Sequence, residues 1–172
     1  MADRPIVYYG DPVLREEAEA IQEVDRETKD LVSDMIAALK DAGGLGLAAP
    51  QVGVPRRIFI IDLTSIDLTE SIKVFINPKI IYTSEEEVVL EEGCLSFPGI
   101  FQRIQRPEVV RVRATDLEGK EFTLEASGML ARAIQHENDH LNGVLFIDYF
   151  SPLSRALVKG KLNKLRKMAA AS

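Results

Sequence analysis

His136-Glu137-Asn138-Asp139-His140 holds the only two histidines in a chain of 172 residues. A helix that starts after Ser127 as N-cap and stops at Asn142-Gly143 places the two one turn apart on one face, where both imidazoles reach a single ion. The plainer alternative is a pair of core histidines satisfied by hydrogen bonds. A catalytic site of zinc type needs a third protein ligand and an open position for water. No third histidine exists, and no carboxylate follows Asp148, which itself lies beyond the Gly143 stop and in no motif. The remaining soft donor is the only cysteine, Cys94, in Glu92-Gly93-Cys94-Leu95-Ser96-Phe97-Pro98-Gly99. A lone cysteine is by default a small buried hydrophobe, and the need for a third ligand reverses that reading. Two imidazoles, a thiolate and a water suit tetrahedral Zn(II), and Fe(II), Ni(II) or Co(II) also fit.

Around this centre the hydrophobic pattern predicts the other elements. Leu31, Met35, Ile36 and Leu39 repeat at helical spacing before Gly43-Gly44, giving an N-terminal helix from about Asp25 to Ala42. Arg56 to Leu63 and Lys73 to Thr83 read as strands. Val109 to Thr115 and Glu121 to Leu124 flank Leu117-Glu118-Gly119-Lys120 as a hairpin. A C-terminal helix is expected from Pro152 to about Ala170. Helices lie before and after a block of strands, so the fold class is α+β: mostly antiparallel strands packed around the central metal-binding helix. The whole chain, residues 1–172, reads as a single catalytic domain.

With a formal net charge of −6 and 46% hydrophobic residues, the chain is neither disordered nor a basic DNA binder. Its apolar runs fall far short of the ~20 residues that span a bilayer. A lone cysteine excludes an internal disulfide and fits a reducing compartment, from which a cytoplasmic location is expected. Residues 151–172 carry six bases and no acid. That basic tail is either a solvated helix whose cations complement its dipole or a contact surface for a polyanion.

Three stretches resemble the motifs of the peptide deformylase family: Gly44-Leu45-Gly46-Leu47-Ala48-Ala49-Pro50-Gln51, Glu92-Gly93-Cys94-Leu95-Ser96 and Gln135-His136-Glu137-Asn138-Asp139-His140. The resemblance implies hydrolysis of the formyl group from N-terminal formyl-methionine of new polypeptides, with Fe(II) as native ion. It also implies the Gln51 amide and the Leu95 backbone N–H as oxyanion donors, and ribosome contact through the C-terminal helix. Glu137, beside a ligand, is the general base and then the acid that protonates the leaving amine. Met129 and Ala133 share the face of His136 and are candidate walls of a methionine pocket, equally readable as ordinary core. Leu45 joins them by its place in the first motif, and Gly46 is expected to leave its backbone open for the substrate to pair as an added strand. Glu92, paired with Arg106, is expected to orient a ligand. The competing readings are a metallopeptidase of the HExxH type and a closed, non-catalytic metal-binding domain with Asp139 as fourth ligand.

Overall fold

The computed structural model describes residues 4–171. Helix α1 (Arg26–Ala42) begins where the Asp25 side chain accepts the Thr28 N–H at 2.9 Å and ends at left-handed Gly43. Its apolar stripe of Leu31, Val32, Met35 and Leu39 is buried. Strands β1 (Gly46–Ala48), β2 (Ile58–Ile61), β3 (Lys73–Thr83), β6 (Val109–Thr115) and β7 (Glu121–Ser127) form one antiparallel sheet in the order β1-β2-β3-β6-β7. Strands β4 (Glu87–Gly93) and β5 (Phe101–Pro107) form a separate antiparallel ribbon. Helix α2 (Gly128–Leu141) follows β7 directly and lies against β1, β2, β6 and β7. The α+β architecture is therefore the expected one, with the histidine-bearing helix at its centre.

Three buried clusters hold these layers together. Ala131, Ile134 and Leu141 of α2 meet Phe59, Phe75 and Val112 of the sheet. The α1 stripe packs on Leu47, Ile58 and Ile60. Phe97 beside the ribbon and Ile104 within β5 pack with Phe146, Leu162 and Leu165. All four residues of β2, Ile58 through Ile61, are buried and apolar, because α1 covers one side of the sheet and α2 the other.

Several boundaries differ from the expectation. β2 is the shorter Ile58–Ile61, and β7 runs on to Ser127, which holds the N-cap position of α2 without donating or accepting a side-chain capping bond. The C-terminal helix is two: α3 (Pro152–Leu157) and α4 (Lys159–Ala170), broken at Val158, whose φ, ψ of −104°, 4° leave the helical region. The break turns the Leu162 and Leu165 face of α4 into the core, while α3 buries none of its residues. No helix among the described residues is long and apolar enough to cross a membrane.

Candidate metal centre

Helix periodicity, a strand end and a tight turn converge on one point. The α2 helix supplies His136 and His140, buried at 8% and 1% relative exposure, and Cys94 follows the last residue of β4. The ligand atoms of Cys94, His136 and His140 all lie within 4.8 Å of one another, with Cys94 Sγ 3.4 Å from His140 Nε2. His136 Nδ1 is held by Glu92 Oε1 at 2.9 Å, which fixes the ring and leaves Nε2 for an ion. His140 Nδ1 is buried without a hydrogen-bond partner among the described residues. Soft sulfur beside two imidazole nitrogens, closely grouped in a protein interior, is a donor set that fits one divalent ion.

Glu92 is the hub of this arrangement. Its carboxylate accepts from Arg106 Nε (2.5 Å) and Nη2 (2.9 Å), from Arg132 Nη1 (2.7 Å) and from His136. Burial alone would raise its pKa, but the hydrogen bonds from His136 and Arg106 outweigh that and hold it well below the usual carboxylate range. Arg106 also donates to Asp139 Oδ2 at 2.9 Å, and the same oxygen accepts from the Tyr149 hydroxyl at 2.8 Å. Asp139 is thereby committed to Arg106 and Tyr149, and Asp148 to both nitrogens of the Arg15 fork at 2.8 and 3.0 Å. Neither carboxylate belongs to the Cys94, His136, His140 cluster.

Glu137 is 5% exposed, and its Oε1 has no hydrogen-bond partner among the described residues. Burial pushes its pKa up to about 7. The carboxyl rests directly against Gly46, where an added Cβ would sit 2.6 Å from Oε2. Gly46 thus makes room for the glutamate, a reason for glycine that strand pairing alone does not supply. It pairs with Ile61 of β2, and β1 is an edge of the sheet, with no strand on its other side among the described residues.

Gln51 comes from the 3-10 turn Ala49–Val52 and is 1% exposed. Its Oε1 accepts the Ala48 N–H at 3.0 Å, which turns Nε2 toward Cys94 Sγ (3.4 Å) and Ser96 Oγ (3.2 Å). Ser96 in turn donates to Val7 O at 2.8 Å. The Leu95 N–H donates no hydrogen bond among the described residues. A cleft of about 400 Å³ opens over the cluster, and Leu45, Gly46, Leu95, Met129 and Ala133 line it. Cys94, His136 and His140 cluster at this cleft, and Leu45, Gly46, Gln51, Leu95, Met129, Ala133 and Glu137 line it.

Sequence reasoning missed Arg132, Ser96, Tyr149 and Phe101. Arg132 lies four residues before His136, so helical spacing signalled its face, but nothing in one sequence marks a buried arginine donating to Ile104 O, Val88 O and Glu92 at 2.7 Å each. Phe101, 62% exposed, covers Gly93 from the facing strand and lines the cleft.

An HExxH helix whose glutamate is buried beside two histidines and a thiol, at the floor of an open cleft, defines the class of metal-dependent hydrolases. The polypeptide deformylase family model matches residues 3–156. The peptide deformylase of Rhizobium meliloti is 44% identical over 99% of this chain and 98% of its own length. That of Thermodesulfovibrio yellowstonii is 47% identical over 94% and 97%. Among solved structures, a Plasmodium falciparum peptide deformylase superposes with a TM-score of 0.92 at 38% identity, covering 97% of this chain and 98% of that one. One from Legionella pneumophila gives 0.88 at 40% identity, covering 99% of both chains. The chain belongs to the peptide deformylase family, metal-dependent enzymes that remove the formyl group from N-terminal formyl-methionine.

Proposed function

We propose that Cys94, His136 and His140 hold one divalent ion, Fe(II) in the native enzyme, and that Glu137 moves the protons of deformylation. The observation that carries this is the buried, unpartnered Glu137 Oε1 beside a Cys-His-His cluster at the floor of a cleft. An ion bound there supplies Lewis acidity and lowers the pKa of a water. Glu137 takes a proton from the attacking water and returns it to the amine that leaves as formate is released. Gln51 Nε2 and the Leu95 N–H donate to the oxyanion that develops on the formyl oxygen. Leu45, Met129 and Ala133 form the methionine pocket, and the free edge of β1 at Gly46 pairs with the substrate backbone as an added strand. The whole chain works as one catalytic unit on nascent formyl-methionyl peptides in the cytoplasm. The exposed Lys159, Lys164 and Lys167 of α4 contact the ribosome.

Anaerobically purified protein should contain one iron per chain and release formate from formyl-Met-Ala-Ser. Cys94→Ala should lose metal and formate release together while circular dichroism stays native. A full complement of metal in that variant would remove the thiol from the ligand set. Cleavage of unformylated casein without formate would point instead to a peptidase.

A further inference from the structure

Away from the catalytic cleft, a second concavity of about 240 Å³ lies between the N-terminal segment and the C-terminal helices, lined by Tyr9, Asp11, Arg15, Arg155 and Arg166 among others. Its shape depends on close backbone approach. Gly10 has φ +109°, and a Cβ there would stand 2.8 Å from the Arg166 Cα. Three guanidinium groups therefore share one pocket in a chain whose net charge is −6.

Only one of the three is neutralised by an ion pair. Arg15 is forked onto Asp148. Arg155 donates to Ile147 O at 3.3 Å, and Arg166 donates to the hydroxyl of Tyr9 at 2.6 Å. Neither makes a carboxylate ion pair among the described residues. Arg155 is close enough to help hold the Asp148 carboxyl below its ordinary range. Asp11, the one acid in the lining, already accepts the Val13 N–H at 3.1 Å. Tyr9 is 4% exposed, so its hydroxyl is fixed at the pocket wall with its own proton available to an acceptor.

We infer that this pocket binds a phosphate group, gripped by Arg155 and Arg166 with Tyr9 as a further donor. Planar guanidinium forks match the oxygens of a tetrahedral oxyanion, and charge-assisted bonds of this kind are about twice as strong as neutral ones. The volume is below the ~300–1,000 Å³ of pockets that enclose organic ligands, so it takes the phosphate alone and leaves any attached sugar or base outside. Free phosphate and the phosphodiester of an RNA strand present the same chemistry. The site is independent of the catalytic reading, because none of its lining residues reaches the metal cluster.

The test uses the metal-loaded enzyme at constant ionic strength, with inorganic phosphate followed by phosphorus NMR. Saturable binding should weaken at least about fivefold in Arg155→Gln and in Arg166→Gln, the loss of one charge-assisted contact. Arg155→Lys and Arg166→Lys, which keep charge but lose the fork, should fall between. Arg26→Gln, a change in an exposed surface ion pair on α1, should leave affinity unchanged. Formate release from formyl-Met-Ala-Ser should be unaffected throughout, which verifies the fold. A short oligoribonucleotide without terminal phosphates identifies the source: displacement of phosphate assigns the seat to RNA, and no displacement assigns it to free phosphate. Binding that survives both glutamine variants places the anion at the metal, and equal loss in Arg26→Gln means diffuse screening. Either of these, or no saturable binding, overturns the site.

Discussion

The Arg106 guanidinium lies 4.6 Å from the centroid of the Tyr149 ring while its Nε donates to Glu92 Oε2 at 2.5 Å. One arginine thus joins an aromatic residue after α2 to the carboxylate that holds the His136 ring. Arg106, Arg132 and Glu92 are each at most 5% exposed. Removing that anion leaves buried Arg132 without a carboxylate and Arg106 with Asp139 alone, and breaking a buried pair in this way typically costs about 3–5 kcal/mol. Glu92→Gln should therefore lower the thermal midpoint sharply and also weaken metal retention about 10–100-fold, since ligand orientation is lost. Tyr149→Phe keeps the ring over Arg106 and deletes one bond to Asp139, so it should lose about 1 kcal/mol and little metal. Chelator-driven metal release from the two variants separates the roles, and equal release from Glu92→Gln and the parent would refute the steering.

Glu137→Gln retains shape but cannot accept a proton, so formate release should fall at least about a hundredfold with metal content near normal. Gly46→Ala attacks the same group by displacement, since its Cβ would press on Oε2 at 2.6 Å. A shift of about 1 Å in a reacting group can cost about a hundredfold, so kcat should drop by at least tenfold in Gly46→Ala without loss of metal. If kcat is unchanged and KM alone rises, glycine serves backbone pairing and not the glutamate.

Arg15 and Asp148 give a pH-dependent term. Burial would raise the Asp148 carboxyl, but the Arg15 bonds and the Leu145 N–H prevail and lower it. A carboxylate depressed in the folded state stabilises above its unfolded value, about 3.9, and loses that contribution as pH falls through the folded value. The pair is one-third or more exposed, so Asp148→Asn should cost only about 1 kcal/mol at pH 7. Melting curves of parent and variant should differ by a few degrees at neutral pH and converge once the pH has fallen below the lowered folded-state value of Asp148. A gap that persists in acid would assign the effect to packing.

Ending the chain after Leu157 would remove the basic residues of α4 and with them Leu162 and Leu165, which are 5% and 6% exposed in the core around Phe146. Each buried leucine is worth about 2–5 kcal/mol. Truncation should therefore destabilise the enzyme outright and cannot report on ribosome contact. Replacing Lys159, Lys164 and Lys167 by glutamine should leave the melting temperature nearly unchanged and weaken co-sedimentation with ribosomes at low salt. Unchanged co-sedimentation would exclude these lysines from the contact.

The legible parts of the sequence are those where one periodicity runs without interruption. Asp25 to Ala42 and Lys73 to Thr83 match their elements closely because caps and apolar spacing agree with tertiary packing. The β4–β5 ribbon was not read: its inward positions alternate, but Glu86, Glu87, Glu91 and Glu92 make the segment look solvated, and the buried Glu92 is satisfied only by residues 14 to 44 positions away. β1 has three residues, too few for any pattern. The metal cluster was visible because ligands must be rare residue types at constrained spacing, and the Glu92 to Arg106 pair followed from the need to orient them. Helical spacing gives the face of Arg132 but not its partners, and Tyr149 has no local signature, since what both do exists only in three-dimensional contact.

Cys94 and His140 are 46 residues apart in sequence and 3.4 Å apart in space. An ion held between them acts on the unfolded chain as a cross-link does, forbidding the expanded conformations in which those residues separate. For a closed loop of this length the chain-entropy estimate for a disulfide is roughly 4 kcal/mol. A protein with one cysteine cannot make an internal disulfide, yet with an ion bound there it would acquire a restraint of the same kind, one that fastens the ribbon to the central helix and can be undone by a chelator. Loading the metal and completing the fold would then be parts of a single equilibrium, in which the concentration of free ion tunes the stability of the folded state.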